Sequence, residues 1–164
     1  MRRTTITLLT LLALTGITIG VVWAANVHYK KGPAVVDNGF TATATGTIAG
    51  LGNGNVIVTL SFPDATGTTL CSNPGGNQAP GQNPATPAAT SGSVFIDNPK
   101  NGTVSFSVTT DVPTNPSPQA AGCPNGNWTA AFDNITFGSG TLTIQQDDGT
   151  GNFVTVLTTP VSLP

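Results

Sequence analysis

Hydroxyl side chains are plentiful in this chain, but a hydroxyl becomes a nucleophile only beside a base. The single histidine, His28, lies near the amino terminus, ahead of the patterned segments. A Ser-His-Asp site inside the folded part would require the terminus to fold back. Glutamate is absent, so paired-carboxylate hydrolysis would have to draw on the seven aspartates. Asp64, Asp97, Asp111, Asp133, Asp147 and Asp148 mostly sit in Gly- and Asn-rich stretches that read as turns, where Asp has an ordinary structural role. No glycine-rich stretch lies between a strand and a helix with a following Lys, so a phosphate loop is not expected. The reading is of a non-catalytic protein.

Calcium is the one cofactor the residue types suggest. Asp147, Asp148 and Asn152 concentrate oxygen donors around Asp147-Asp-Gly-Thr-Gly-Asn152, with Asp97, Asn98 and Asn101 as a weaker version. A hard cation needs six or more oxygens, and Asp-Gly stretches are also generic hairpin connectors. The expectation without calcium is therefore a cofactor-free domain.

Two cysteines, Cys71 and Cys123, stand at the borders of Gly-, Pro- and Asn-rich loops. They lack the spacing of a redox pair and are too few for an ordinary zinc site. In an exported chain they are expected to form one disulfide. That bond would gather the loops 72–92 and 111–126 at one end of the fold, making Asn77, Gln82, Asn115 and Asn125 candidate ligand contacts. Trp128 and Tyr29 could stack on a sugar, although Trp128 shares its parity with Ala130 and Phe132 and is expected in the core. Asn101, Asn127 and Asn134 each head an Asn-x-Thr acceptor for glycosylation.

Export is read from the first residues. Arg2 and Arg3 precede an apolar run ending in Val22-Trp-Ala24, the order of a signal peptide cleaved after Ala24. An uncleaved membrane anchor is the alternative and would be the sole membrane contact. The expected layout is a leader over 1–24, a flexible arm over 25–38 and one domain over 39–164, secreted or on the cell surface. Beyond the leader, three Lys oppose seven Asp, a net of minus four. So sparse and acidic a surface is unsuited to nucleic acid.

The elements that must position these residues are strands. Residues 40–48 alternate Phe40, Ala42, Ala44, Gly46 and Ile48 with Thr41, Thr43, Thr45 and Thr47. Val56, Val58, Leu60 and Phe62 continue the period, and the glycine-rich 50–54 reads as a hairpin loop between the two runs. Val104, Phe106 and Val108 form another inward row, as do Trp128, Ala130 and Phe132. The phase then moves to Ile135 and Phe137, which calls for a bulge or tight turn at Asp133-Asn134. Leu142 and Ile144 lead to a hairpin turn at 147–152 and a last strand from Phe153. No helical period appears. The predicted fold is all-β, an antiparallel two-sheet sandwich of about eight strands with Greek-key-like connections, or else a jelly-roll barrel.

Such a domain fits a structural or adhesive role first. A module binding a carbohydrate or protein through its two long loops comes second. A cell-envelope glycan, a surface protein or a second copy of the chain are the partners in view.

Overall fold

The computed structural model describes residues 26–87, 90–97 and 99–163; the expected leader over 1–24 lies outside them. Among the described residues ten strands run in the order β1 (His28–Asp37), β2 (Ala42–Ala49), β3 (Val56–Ser61), β4 (Thr66–Ser72), β5 (Gln78–Pro80), β6 (Ser91–Ile96), β7 (Val104–Thr109), β8 (Thr129–Thr136), β9 (Ser139–Asp147) and β10 (Phe153–Ser162). A single 3-10 turn over Lys100–Gly102 separates β6 from β7. Among the described residues no helix is long and apolar enough to cross a membrane.

All strand pairings are antiparallel, as alternation predicts. They form three sheets, ordered β1-β2-β7, β10-β9-β3-β6 and β5-β4-β8. The first two bury their apolar faces in one sandwich-like core. Ala42, Ala44, Ile48, Val104, Phe106 and Val108 come from one sheet, and Val56, Val58, Leu60, Leu142 and Ile144 from the other. Each fully buried Val, Leu or Ile contributes about 1.5–3 kcal/mol. The outward positions of the same strands carry mostly Thr and Ser, with Ile57 and Gln145 among the exceptions, so period two largely separates core from surface.

The third sheet grows out of the second. Ser61 of β3 pairs with Thr141 of β9, and Thr66 of β4 pairs with Thr136 of β8, five residues further along each chain. No residue is gained or lost across the break, so β3–β4 and β8–β9 form one long two-stranded ribbon with a bend. Phe62 fills the bend, fully buried and edge-on to Phe137 with ring centroids 5.1 Å apart. Gly140 makes room for it, since a Cβ there would lie 2.5 Å from the Phe62 ring. Beyond the bend Thr68 faces Asn134 but Thr69 faces Phe132, so Asp133 is the extra residue of a bulge, as the phase shift required.

Several expectations are corrected. Residues 50–54 do not close a hairpin: β2 and β3 lie in different sheets, and the segment arches between them. Both flanking strands have a fully buried face, and an arch lets those faces meet across the core. A matching arch that includes Lys100–Gly102 leads into β7 from β6 in the other sheet, and the two arches are tied by the Leu51 N–H donating to the Gly102 oxygen at 3.0 Å. The expected arm contains β1, a ten-residue edge strand paired to β2 with two irregularities in register. Phe40 is 41 % exposed because β2 starts only at Ala42. The chain ahead of it turns, with the Gly39 N–H on Asp37 Oδ1 at 2.7 Å and the Asn38 N–H on the Thr41 oxygen at 2.8 Å. Trp128 is half-buried and outside the core cluster, just before β8 begins. The loop 72–92 includes the short strand β5 and the first two residues of β6.

Candidate functional site

The described residues offer two ends to examine. At one, β4, β5 and β8 carry the disulfide. Cys71 and Cys123 are bonded, with Cα atoms 5.7 Å apart, and Cys71 is fully buried. The Gln82 N–H donates to the Ala121 oxygen at 2.7 Å, so the two long loops are joined by backbone as well as by sulfur. This is the gathering the sequence predicted.

The polar residues nominated there hold the loops in place. Asn115 Oδ1 accepts the Phe132 N–H at 3.0 Å, covering a donor on the outer edge of β8 beside the bulge. Asn125 Oδ1 accepts the Asn127 N–H at 3.0 Å, and its carbonyl accepts the Trp128 N–H at 3.2 Å. Asn77 is exposed in a turn where its N–H donates to Asn73 Oδ1 at 2.9 Å. Asn83, which sequence reasoning passed over, accepts the Thr69 N–H at 2.7 Å. Tyr29 is far from this group. Its hydroxyl donates to Thr159 Oγ1 at 3.0 Å, linking β1 to β10, and burial pushes its pKa up despite that bond.

At the other end the two arches and the β9–β10 turn surround a cleft of about 710 Å³. Its wall includes Asn53, Asn101, Gln146, Asp147, Asp148 and Thr150. Gln146 occupies an inward position of β9, is 5 % exposed, and accepts the Gly52 N–H at 3.3 Å. Asn101 has φ 58°, a left-handed conformation that Asn tolerates better than most residues. Gly102 follows at φ 62°, where a Cβ would sit 2.2 Å from the Leu51 oxygen, so the junction of the arches needs glycine.

The structure thus brings Asn101 to the same cleft as Asp147 and Asp148, which sequence reasoning had kept as separate calcium candidates. The acidic turn already uses much of its oxygen. Asp147 Oδ1 accepts the Gly149 and Gly151 N–H groups at 2.8 and 3.1 Å. Asp148 Oδ1 accepts the Thr150 hydroxyl at 2.6 Å and the Thr150 N–H at 2.8 Å, and these donors hold its carboxyl below the usual carboxylate range. Asn152 Nδ2 donates to Thr150 Oγ1 at 2.8 Å. These bonds build the hairpin turn. Among the described residues no three His, Cys, Asp or Glu side chains group as metal ligands.

His28 is exposed, with Nδ1 2.8 Å from the Asn26 oxygen. Asp64, Asp97, Asp111 and Asp133 are also exposed. Asn101, Asn127 and Asn134 are exposed on an arch, the disulfide-bonded loop and the β8 bulge respectively. The cleft itself escaped sequence reasoning because its walls come from three segments, 51–54, 101–102 and 146–150, well separated along the chain, and only the arches bring them together. Comparison of the chain with protein-family models, curated proteins and solved structures gives no match.

Proposed function

We propose that this chain is a non-catalytic domain exported from the cytoplasm and kept at the cell surface or released from it, where it acts by contact as a structural or adhesive element. One observation carries the reading: the three-stranded sheet β1-β2-β7 turns outward two cross-strand pairs of uncharged hydroxyls, and the four-stranded sheet turns outward one. Thr43 and Thr109 share a hydrogen bond at 2.8 Å, Thr47 and Ser105 at 3.0 Å, and Thr59 and Ser93 at 2.8 Å. Cross-strand hydroxyl pairs support the sheets, and a surface of this kind meets neutral polar matter without needing a counter-charge. The disulfide, with Cys71 fully buried, supports an oxidising compartment.

The test is made on native cells. Membrane-impermeant labelling of intact cells should mark the protein, and its deletion should weaken attachment or envelope integrity. Cytoplasmic protein carrying two free thiols, or deletion without effect on either property, would overturn the reading. Binding through the loops 72–92 and 111–126 is less well supported, since Asn115 and Asn125 hold backbone there.

A further inference from the structure

We propose that the cleft between the two arches, flanked by the Phe95–Phe153 pair, binds a neutral oligosaccharide. The inference rests on the contact role above and names its partner.

Three observations converge on it. First, about 710 Å³ falls in the range of small-molecule sites, roughly 300–1,000 Å³. Second, the wall offers side chains that can both donate to and accept from a sugar's hydroxyls: Asn53, Asn101 and the buried Gln146 are amides, and Thr150 is a hydroxyl. No Lys or Arg is among the lining residues, while Asp147 and Asp148 are. An anionic chain would be repelled, and a neutral polyol would find acceptors.

Third, an aromatic surface lies on two strands that lead into the cleft's walls, outside its lining. Phe153 pairs across strands with Asp147, and Phe95 lies two residues before the arch that carries Asn101. The two rings meet edge-on, with centroids 6.2 Å apart, over the outer face of the four-stranded sheet. Phe95 is 57 % exposed. Leaving it in water costs hydrophobic free energy that the core does not recover, and a sugar's C–H face would cover it. A polar wall and an apolar platform at one end of the fold are the two halves of sugar recognition.

The experiment titrates the oxidised full chain with β-1,4-linked glucose and xylose hexamers, and with a galacturonic acid hexamer as the anionic control. Nitrogen-15 amide shifts and calorimetry are read together. At least one neutral hexamer should shift residues 51–54, 101–102 and 146–150 saturably. Phe95→Ala should weaken it by roughly three- to tenfold. Asn101→Gly, which keeps the left-handed backbone, should weaken it by about fivefold. Val36→Ser, at an exposed position of β1 in the other sheet, should leave it unchanged. No saturable shift with either neutral hexamer, tighter binding of the acidic one, or shifts centred on residues 72–92 and 111–126 would each overturn the proposal. Labelling and attachment of cells are read without any added sugar, so the site can fail while the surface role stands.

Discussion

Removing the disulfide by Cys71→Ala with Cys123→Ala should lower the stability of the fold by about 2–3.5 kcal/mol. The bond spans a sequence separation of 52 residues. Freeing a loop of that length returns about 4 kcal/mol of chain entropy to the unfolded state, and measured losses run about 2–5 kcal/mol. The lower half of that range is expected, because backbone bonds also hold the two loops: the Gly81 N–H on the Thr69 oxygen, the Gln82 N–H on Ala121, and the Cys123 N–H on Pro118. A loss of about 2–3.5 kcal/mol corresponds to a fall of roughly 6–10 °C in Tm for a domain of this size. Urea unfolding of the wild-type and doubly substituted chains gives the difference directly. Hydrogen exchange then shows where it falls. The amides of Gly81, Gln82 and Cys123 should lose protection, while those of β3 and β9 keep it at the global limit. A double variant within 1 kcal/mol of wild type, with Gln82 still protected, would refute the view that sulfur holds the loop end together.

Other outcomes follow from the same packing. Phe62→Ala should destabilise by about 3–5 kcal/mol, measured by urea unfolding, because the ring fills the ribbon bend against Phe137. Gly140→Ala pushes a methyl into that ring and should cost about 1–3 kcal/mol; combined with Phe62→Leu it should cost less than the sum of the two. Tyr29 is the sole tyrosine, so ultraviolet titration reads it without overlap. Its pKa is raised in the fold, so the unfolded chain ionises first as pH climbs past about 10. The contribution of Tyr29 to stability is therefore intact below that pH and lost as pH rises through the folded value, and Tyr29→Phe should flatten this alkaline limb.

Alternation was enough to find most strands, their inward rows apart from Phe40 and Trp128, and the bulge at Asp133, because each is a local property of the chain. The pairing of Cys71 with Cys123 was legible because no other partner exists. What alternation cannot carry is which strand lies beside which. Residues 50–54 suit a reversal or an arch equally well, and the choice depends on β7 and β9 far along the chain. Tyr29 and the rest of β1 looked like an arm since Lys30, Lys31, Gly32 and Pro33 interrupt the pattern, and an edge strand tolerates that interruption through irregular register. The candidate site was least visible of all. Asn101 and Asp147 are generic turn residues until the arches set them around one space.

The register that continues across the bend of the ribbon has a mechanical consequence. Ladder hydrogen bonds run across the strands, so tension along the ribbon's length would load its rungs together in shear. A domain tethered at the disulfide end and gripped at the arches would resist pulling through many bonds at once, and its weak point would be the bend at Phe62 where the ladder is interrupted.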